Sequence, residues 1–262
     1  MNKFDWRKPN QHFVLFIAII FFTGMLVGNL LPQRILFREK VILTNLPEVE
    51  LPEGEAFAAT VNIVAVNARG EGLVNRAGVE IHKGKGRILF NTNPFVEPDT
   101  QYSVEVAARE AQRFTGKSLE RKDVIYSIQA TDVKLVGGPS AGAALAVATV
   151  AAIENKNIKQ NVALTGTIHS GGVIGKVSGV LEKAQAAAQS GIKLFLVPEG
   201  LSSITIYEQK TEEEKGPNFI FRRTYLVPKT VNLNDLMQEQ FGMEVREVKN
   251  LAEAVQLMVE DF

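Results

Sequence analysis

The sequence predicts an α/β (α+β) fold with a mixed sheet, and three observations carry that reading. The Val-rich stretch Ala58 to Ala68, "AATVNIVAVNA", alternates as a strand does. "PDTQYSVEVAAREAQRFTG" has helical spacing: Val104, Ala107, Ala108, Ala111 and Phe114 share one face, Asp99 and Thr100 suit its start, and Gly116 its end. From Asp123 to Pro198, short apolar strand-like runs then alternate with helix-like ones, which is how a layered sheet with covering helices is written.

The elements follow in order. Val79–His82, a Gly84–Gly86 turn and Arg87–Phe90 predict an early hairpin. "DVIYSIQA" predicts a strand, Pro139 to Glu154 a helix, and "NVALTGTI" another strand. "SGVLEKAQAAAQSG" predicts a helix ended by Gly191, and "KLFLVP" a buried strand. The charge-dense segment from Gln209 to Arg223 reads as a solvated loop able to gate substrate. Helices around Asp235–Phe241 and Leu251–Val259 flank a strand, "MEVREV".

One transmembrane helix is expected to precede this domain. No charge occurs from Pro9 to Gln33, and "FVLFIAIIFFTGMLVGNLL" is predominantly apolar. At about 1.5 Å per residue it spans a hydrocarbon core of roughly 30 Å. The expected organisation is a tail at 1–11, an anchor at 12–31, a Pro- and acid-containing linker at 32–56, and one domain at 57–262. Lys3, Arg7 and Lys8 before the span balance Arg34, Arg38 and Lys40 after it. A short basic tail before one large domain is the pattern of an uncleaved signal anchor, which places the domain outside the cytoplasm. Gly24 and Gly28 form a G-x-x-x-G that lets two anchors pack closely.

Composition excludes several chemistries. The chain has no Cys, hence no disulfide, thiol nucleophile or thiolate metal site. Its histidines, His12, His82 and His169, are too few and scattered for a His-rich metal site, and no cofactor is expected. The net charge of zero offers no footprint for nucleic acid.

The chemistry concentrates at Ser140, behind Gly137, Gly138 and Pro139 and ahead of a helix of small residues. Gly138-Pro139-Ser140-Ala141-Gly142 fits G-x-S-x-G. Only His169 follows it as a base, and Glu154 is the only acid between, so a Ser-His-acid triad is poorly served. A Gly-rich turn opening a helix could instead cradle a phosphate or an oxyanion, and no Walker A sequence is present. A plain N-cap is the bland alternative. The remaining reading pairs Ser140 with a lysine whose burial lowers its pKa. Lys183, among Gly179, Val180, Ala184, Ala186, Ala187 and Ala188, suits that role, with Lys134 and Lys176 as rivals.

"GGPSAGAALAVATVAAI", "NVALTGTI" and "GVLEKAQAAAQSGIKLFLVP" together resemble the proteolytic domain of the Lon protease family, in its membrane-anchored, ATPase-less archaeal branch. The resemblance covers roughly Ala58 to Pro198. It implies the Lon proteolytic-domain fold (ribosomal protein S5 domain 2-like) and a serine endopeptidase with a Ser140–Lys183 dyad. It also implies that Thr165 helps orient the lysine, and that backbone N–H groups near Gly138, Pro139, Ala141 and Gly142 bind the oxyanion. Polypeptide substrates, ATP-independent cleavage of unfolded or membrane-proximal chains, and a homo-oligomer, commonly a hexamer, follow as expectations. The sequence departs from the family where Gly137 replaces an acid three residues before the serine. It departs again where Thr167 replaces a Glu after T-G, and where Val177-Ser178-Gly179 replaces I-G-G. Those departures keep open a non-catalytic membrane scaffold of the same fold. A small-molecule kinase, which can place a similar loop at a helix start, is a third reading.

Overall fold

The computed structural model describes residues 57–91, 94–129, 135–216 and 220–262. The expected tail, anchor and linker, residues 1–56, lie outside the described residues, as does Lys134. No helix among the described residues is long and apolar enough to cross a membrane.

Seven strands form the central sheet in the order β13-β10-β7-β1-β2-β5-β3. They are β1 (Phe57–Val66), β2 (Gly72–Lys83), β3 (Ile88–Phe90), β5 (Lys122–Gln129), β7 (Val162–Leu164), β10 (Leu194–Pro198) and β13 (Glu244–Val248). β2 runs antiparallel between β1 and β5. β1, β7, β10 and β13 run parallel, as do β3 and β5. The sheet is mixed, as the alternation predicted. Two-residue strands β4 (Phe95–Val96) and β6 (Leu135–Val136) pair beside it, as do β8 (Thr167–Ile168) and β9 (Ile174–Gly175).

Successive side chains of a strand point to opposite faces, and here each face has its own core. Val162, Leu164 and Leu196 join one cluster with the helices α1 (Pro98–Thr115), α2 (Gly142–Glu154) and α5 (Leu251–Met258). Ala163, Phe195 and Val197 join another with α3 (Val180–Gln189) and α4 (Leu233–Phe241). Helix α2 is buried all round from Gly142 to Ala152, so its run of alanines is a packing device: small side chains let it sit close to the sheet and α1.

Three sequence expectations are corrected. The early hairpin does not form: β3 pairs with β5, because both edges of β2 are already taken by β1 and β5. Asp123 holds the intervening turn by accepting the N–H groups of Lys85 (2.9 Å) and Arg87 (3.0 Å). The helix expected from Pro139 begins as a 3-10 turn, Pro139–Ala141, and becomes α-helical at Gly142. The solvated loop expected from Gln209 to Arg223 is instead part of a hairpin of two long strands, β11 (Ser203–Lys215) and β12 (Ile220–Asn232). Its charges are cross-strand partners, Glu208 with Lys229 and Glu213 with Arg222, which satisfy one another across the ladder.

Candidate active site

Ser140 lies in the 3-10 turn between β6 and α2, half-buried. Two segments hold the turn. From the sheet side, the Gly166 N–H donates to the Ser140 carbonyl (2.9 Å), and the Thr165 hydroxyl reaches the same oxygen at 3.5 Å. Thr165 is fully buried, and its N–H donates to the Leu196 carbonyl of β10 (3.1 Å). The serine turn is thereby tied to the carboxyl ends of two parallel strands, the end of an α/β sheet where ligand sites gather. From the other side, the first turns of α1 meet the loop. The Glu97 N–H donates to the Val136 carbonyl (2.9 Å), the Thr100 hydroxyl to the Gly138 carbonyl (3.3 Å) and the Ser103 hydroxyl to the Pro139 carbonyl (3.4 Å).

The glycines of this loop are needed for different reasons. Gly138 sits at φ +92°, where an L side chain is strained. A Cβ at Gly137 would run into the Glu97 carboxylate, and one at Gly142 into the Ser103 hydroxyl. The space in which the sequence comparison misses an acid at 137 is therefore taken by the carboxylate of Glu97.

Of the residues expected to supply oxyanion donors, Pro139 has no N–H. The Gly138 N–H turns to Asp99 Oδ1 (3.4 Å), and the Gly142 N–H bonds the Pro139 carbonyl. Ala141 is enclosed in the 3-10 turn. The N–H of Ser140 itself has no acceptor among the described residues.

Lys183 sits one turn into α3, on the opposite face of the sheet from α2. It is 4% exposed, among Val180, Ala184 and Ala187 of its own helix. No ion pair reaches it among the described residues. Burial lowers its pKa from the usual lysine value, and the neighbouring Glu182 carboxylate offsets this only in part. Gly179, which starts α3, packs at Val66, the last residue of β1. β1 also lies against the 3-10 turn, and its end is level with Thr165–Gly166 because Asn62 pairs with Ala163. Ser140, Thr165 and Lys183 thus gather at one end of the sheet. The Ser140 hydroxyl and the Lys183 amine are not hydrogen-bonded to each other or to other described residues. The Thr165 hydroxyl, expected beside the lysine, is turned to the Ser140 carbonyl.

The rival groups are placed differently. Lys176 is exposed, with its amine near Gly200. His169 is exposed and hydrogen-bonded to Thr167 (2.8 Å), and His82 is buried beside Glu80 (3.1 Å). No group of three or more His, Cys, Asp or Glu poised for a metal occurs among the described residues. Sequence reasoning missed Thr100 and Ser103. It placed Thr100 as a helix start and passed over Ser103, and nothing in a single sequence couples them to a loop more than 30 residues away.

Comparison with known proteins agrees with the family resemblance. Residues 103–205 match the model of the Lon protease (S16) C-terminal proteolytic domain. A Lon protease of Buchnera aphidicola is 28% identical over 180 residues, covering 68% of this chain and 20% of its own length. Archaeal Lon proteases of Thermoplasma acidophilum and Methanothermobacter thermautotrophicus are 33% and 35% identical over 118 and 103 residues. These cover 45% and 39% of this chain, and 18% and 16% of their own lengths. The chain spans about a fifth of the length of the curated relatives it matches. The stretch that carries Ser140, Thr165 and Lys183 is similar to the proteolytic domain of the Lon proteases.

Proposed function

We propose that this chain is a serine endopeptidase in which Ser140 is the nucleophile and Lys183 the general base. The observation that carries the reading is Lys183: a buried lysine without an ion pair, its pKa lowered, at the same end of the sheet as a serine on a Gly-rich turn. A neutral amine is what can accept a hydroxyl proton.

Ser140 Oγ attacks the peptide carbonyl carbon, and its proton passes to Lys183 Nζ. The carbonyl oxygen becomes an oxyanion, met by the Ser140 N–H and the positive end of α2. The C–N bond breaks, and Lys183 gives its proton to the leaving amine. Water, deprotonated by Lys183, then hydrolyses the acyl ester. Thr165 holds the Ser140 carbonyl and so supports the turn. The reaction consumes no nucleotide. In the proposed setting, residues 12–31 anchor the chain in a bilayer, the domain faces outside the cytoplasm, and a homo-oligomer cuts unfolded or membrane-proximal polypeptides without ATP.

The test is casein cleavage in nucleotide-free buffer, together with fluorophosphonate labelling of Ser140. Ser140→Ala should abolish both, and Lys183→Ala should slow cleavage by about 10²- to 10⁴-fold, the usual scale of a general base. Unchanged cleavage in either variant refutes the dyad. The missing Ser140–Lys183 hydrogen bond favours one second reading, a non-catalytic scaffold. A wild-type chain that neither cleaves casein nor takes the label selects it.

A further inference from the structure

We infer that Thr100 and Ser103, buried hydroxyls on the first turns of α1, are positioning residues that set the peptide planes around Ser140. The inference rests on Ser140 being the nucleophile. A hydroxyl inside a helix ordinarily bonds a carbonyl of its own preceding turn. These two reach the serine loop instead. Thr100 Oγ1 lies between the Gly138 carbonyl (3.3 Å) and Asp99 Oδ1 (3.4 Å), and Ser103 Oγ reaches the Pro139 carbonyl, which also accepts the Gly142 N–H; the two loop carbonyls are 38 and 36 positions along the chain. Both side chains are buried, 2% and 4% exposed, so their bonds face little competition from water.

The consequence follows from peptide geometry. A trans peptide is planar, with its C=O and N–H on opposite sides. The Pro139 carbonyl accepts both the Gly142 N–H of the turn and the Ser103 hydroxyl of α1, so the Ser140 N–H of that plane faces away from α1. That N–H is the one with no acceptor among the described residues. Holding the Gly138 carbonyl fixes the preceding plane, at a residue whose φ of +92° leaves the backbone no natural well of its own beyond glycine's. The Gly166 N–H fixes the following plane through the Ser140 carbonyl. Three consecutive carbonyls, 138 to 140, thus have partners in α1, in the turn itself and in the segment after β7, and these partners orient the backbone of the nucleophile.

The experiment measures kcat and KM on a fluorogenic peptide, the fluorophosphonate labelling rate of Ser140, and Tm, for the full chain carrying Thr100→Val, Ser103→Ala or Thr100→Ser. Thr100→Val and Ser103→Ala should each lower kcat and the labelling rate about 10- to 100-fold, the scale of a small misplacement of reacting groups, with KM within about twofold. Thr100→Ser, which keeps the hydroxyl, should restore the rates to near wild type. Wild-type rates in both Thr100→Val and Ser103→Ala overturn the inference while leaving the peptidase reading intact. A loss in Thr100→Val that Thr100→Ser does not restore, with Ser103→Ala unaffected, also overturns it. A wild-type chain whose Ser140 takes no label refutes the peptidase reading and these positioning roles with it.

Discussion

Lys183 shows at the scale of one residue how function and stability oppose each other. An amine buried among alanines is neutral more readily than one in water, which fits a base, but the charged form strains the fold. The sign of the pH dependence follows. Below its folded pKa, Lys183 carries a charge in an apolar setting and the native state bears the whole penalty. As pH rises through the folded pKa towards the ordinary lysine value of about 10.4, the native state binds fewer protons than the unfolded one and stability increases. Lys183→Met should therefore raise Tm at neutral pH while slowing cleavage as much as Lys183→Ala does, and the gain should vanish above about pH 10.4. Cleavage by the wild type should rise with pH to a plateau whose midpoint lies below that of an ordinary lysine. A Tm for Lys183→Met below wild type at pH 7 would show that the amine is stabilised by partners rather than merely buried. The alanine-rich sequence around Lys183 agrees with its burial, whereas the pairing of Lys183 with Ser140 is what the family resemblance implies and what the proposed function tests. The contacts of Thr100 and Ser103 could not be read from the sequence, since their partners are set by how α1 crosses the serine loop.

At the scale of elements, β3 illustrates why local pattern is insufficient. The Gly84–Gly86 turn is real enough to reverse the chain, yet β2 has no free edge to receive Ile88–Phe90. Asp123 decides the outcome. Its carboxylate accepts the Lys85 and Arg87 N–H groups and the Arg87 guanidinium, and it packs where a side chain at Gly84 would lie. Hydrogen bonds from Arg87 hold its pKa well below the usual carboxylate range, against the opposing effect of burial. A depressed carboxylate stabilises the fold above its unfolded pKa of about 3.9 and ceases to do so as pH falls towards its folded one. Asp123→Asn should cost about 2 kcal/mol at pH 7 and flatten the loss of stability below about pH 4, as read by chemical denaturation across pH. An unaltered acid limb would place that loss elsewhere. Strands and helices with strong periodicity, β1, α1, α3, β10 and α5, emerged close to their expected bounds. Partner choice along the sheet did not, because pairing depends on which edges remain open.

The described residues form one central mixed sheet with a separate core on each face, two short strand pairs and the β11–β12 hairpin. Over Ser203–Thr211 and Thr224–Asn232, one hairpin face consists of Ser203, Thr205, Tyr207, Gln209, Thr211, Thr224, Leu226, Pro228, Thr230 and Asn232, all exposed and none charged. Dense charge along the chain hid this strand pattern, since the charges fall on the other face and near the tip. At the hairpin's base, the Leu233 N–H donates to the Ser202 carbonyl at 2.6 Å. The chain leaves the globule and re-enters it at nearly the same point. The excursion is thus a detachable loop in the topological sense: joining residue 202 to residue 233 through a Gly-Ser bridge should yield a shorter protein whose thermal transition stays within a few degrees of the parent's. If that miniature melted far earlier, the excursion would have to be counted as part of the globule's scaffolding.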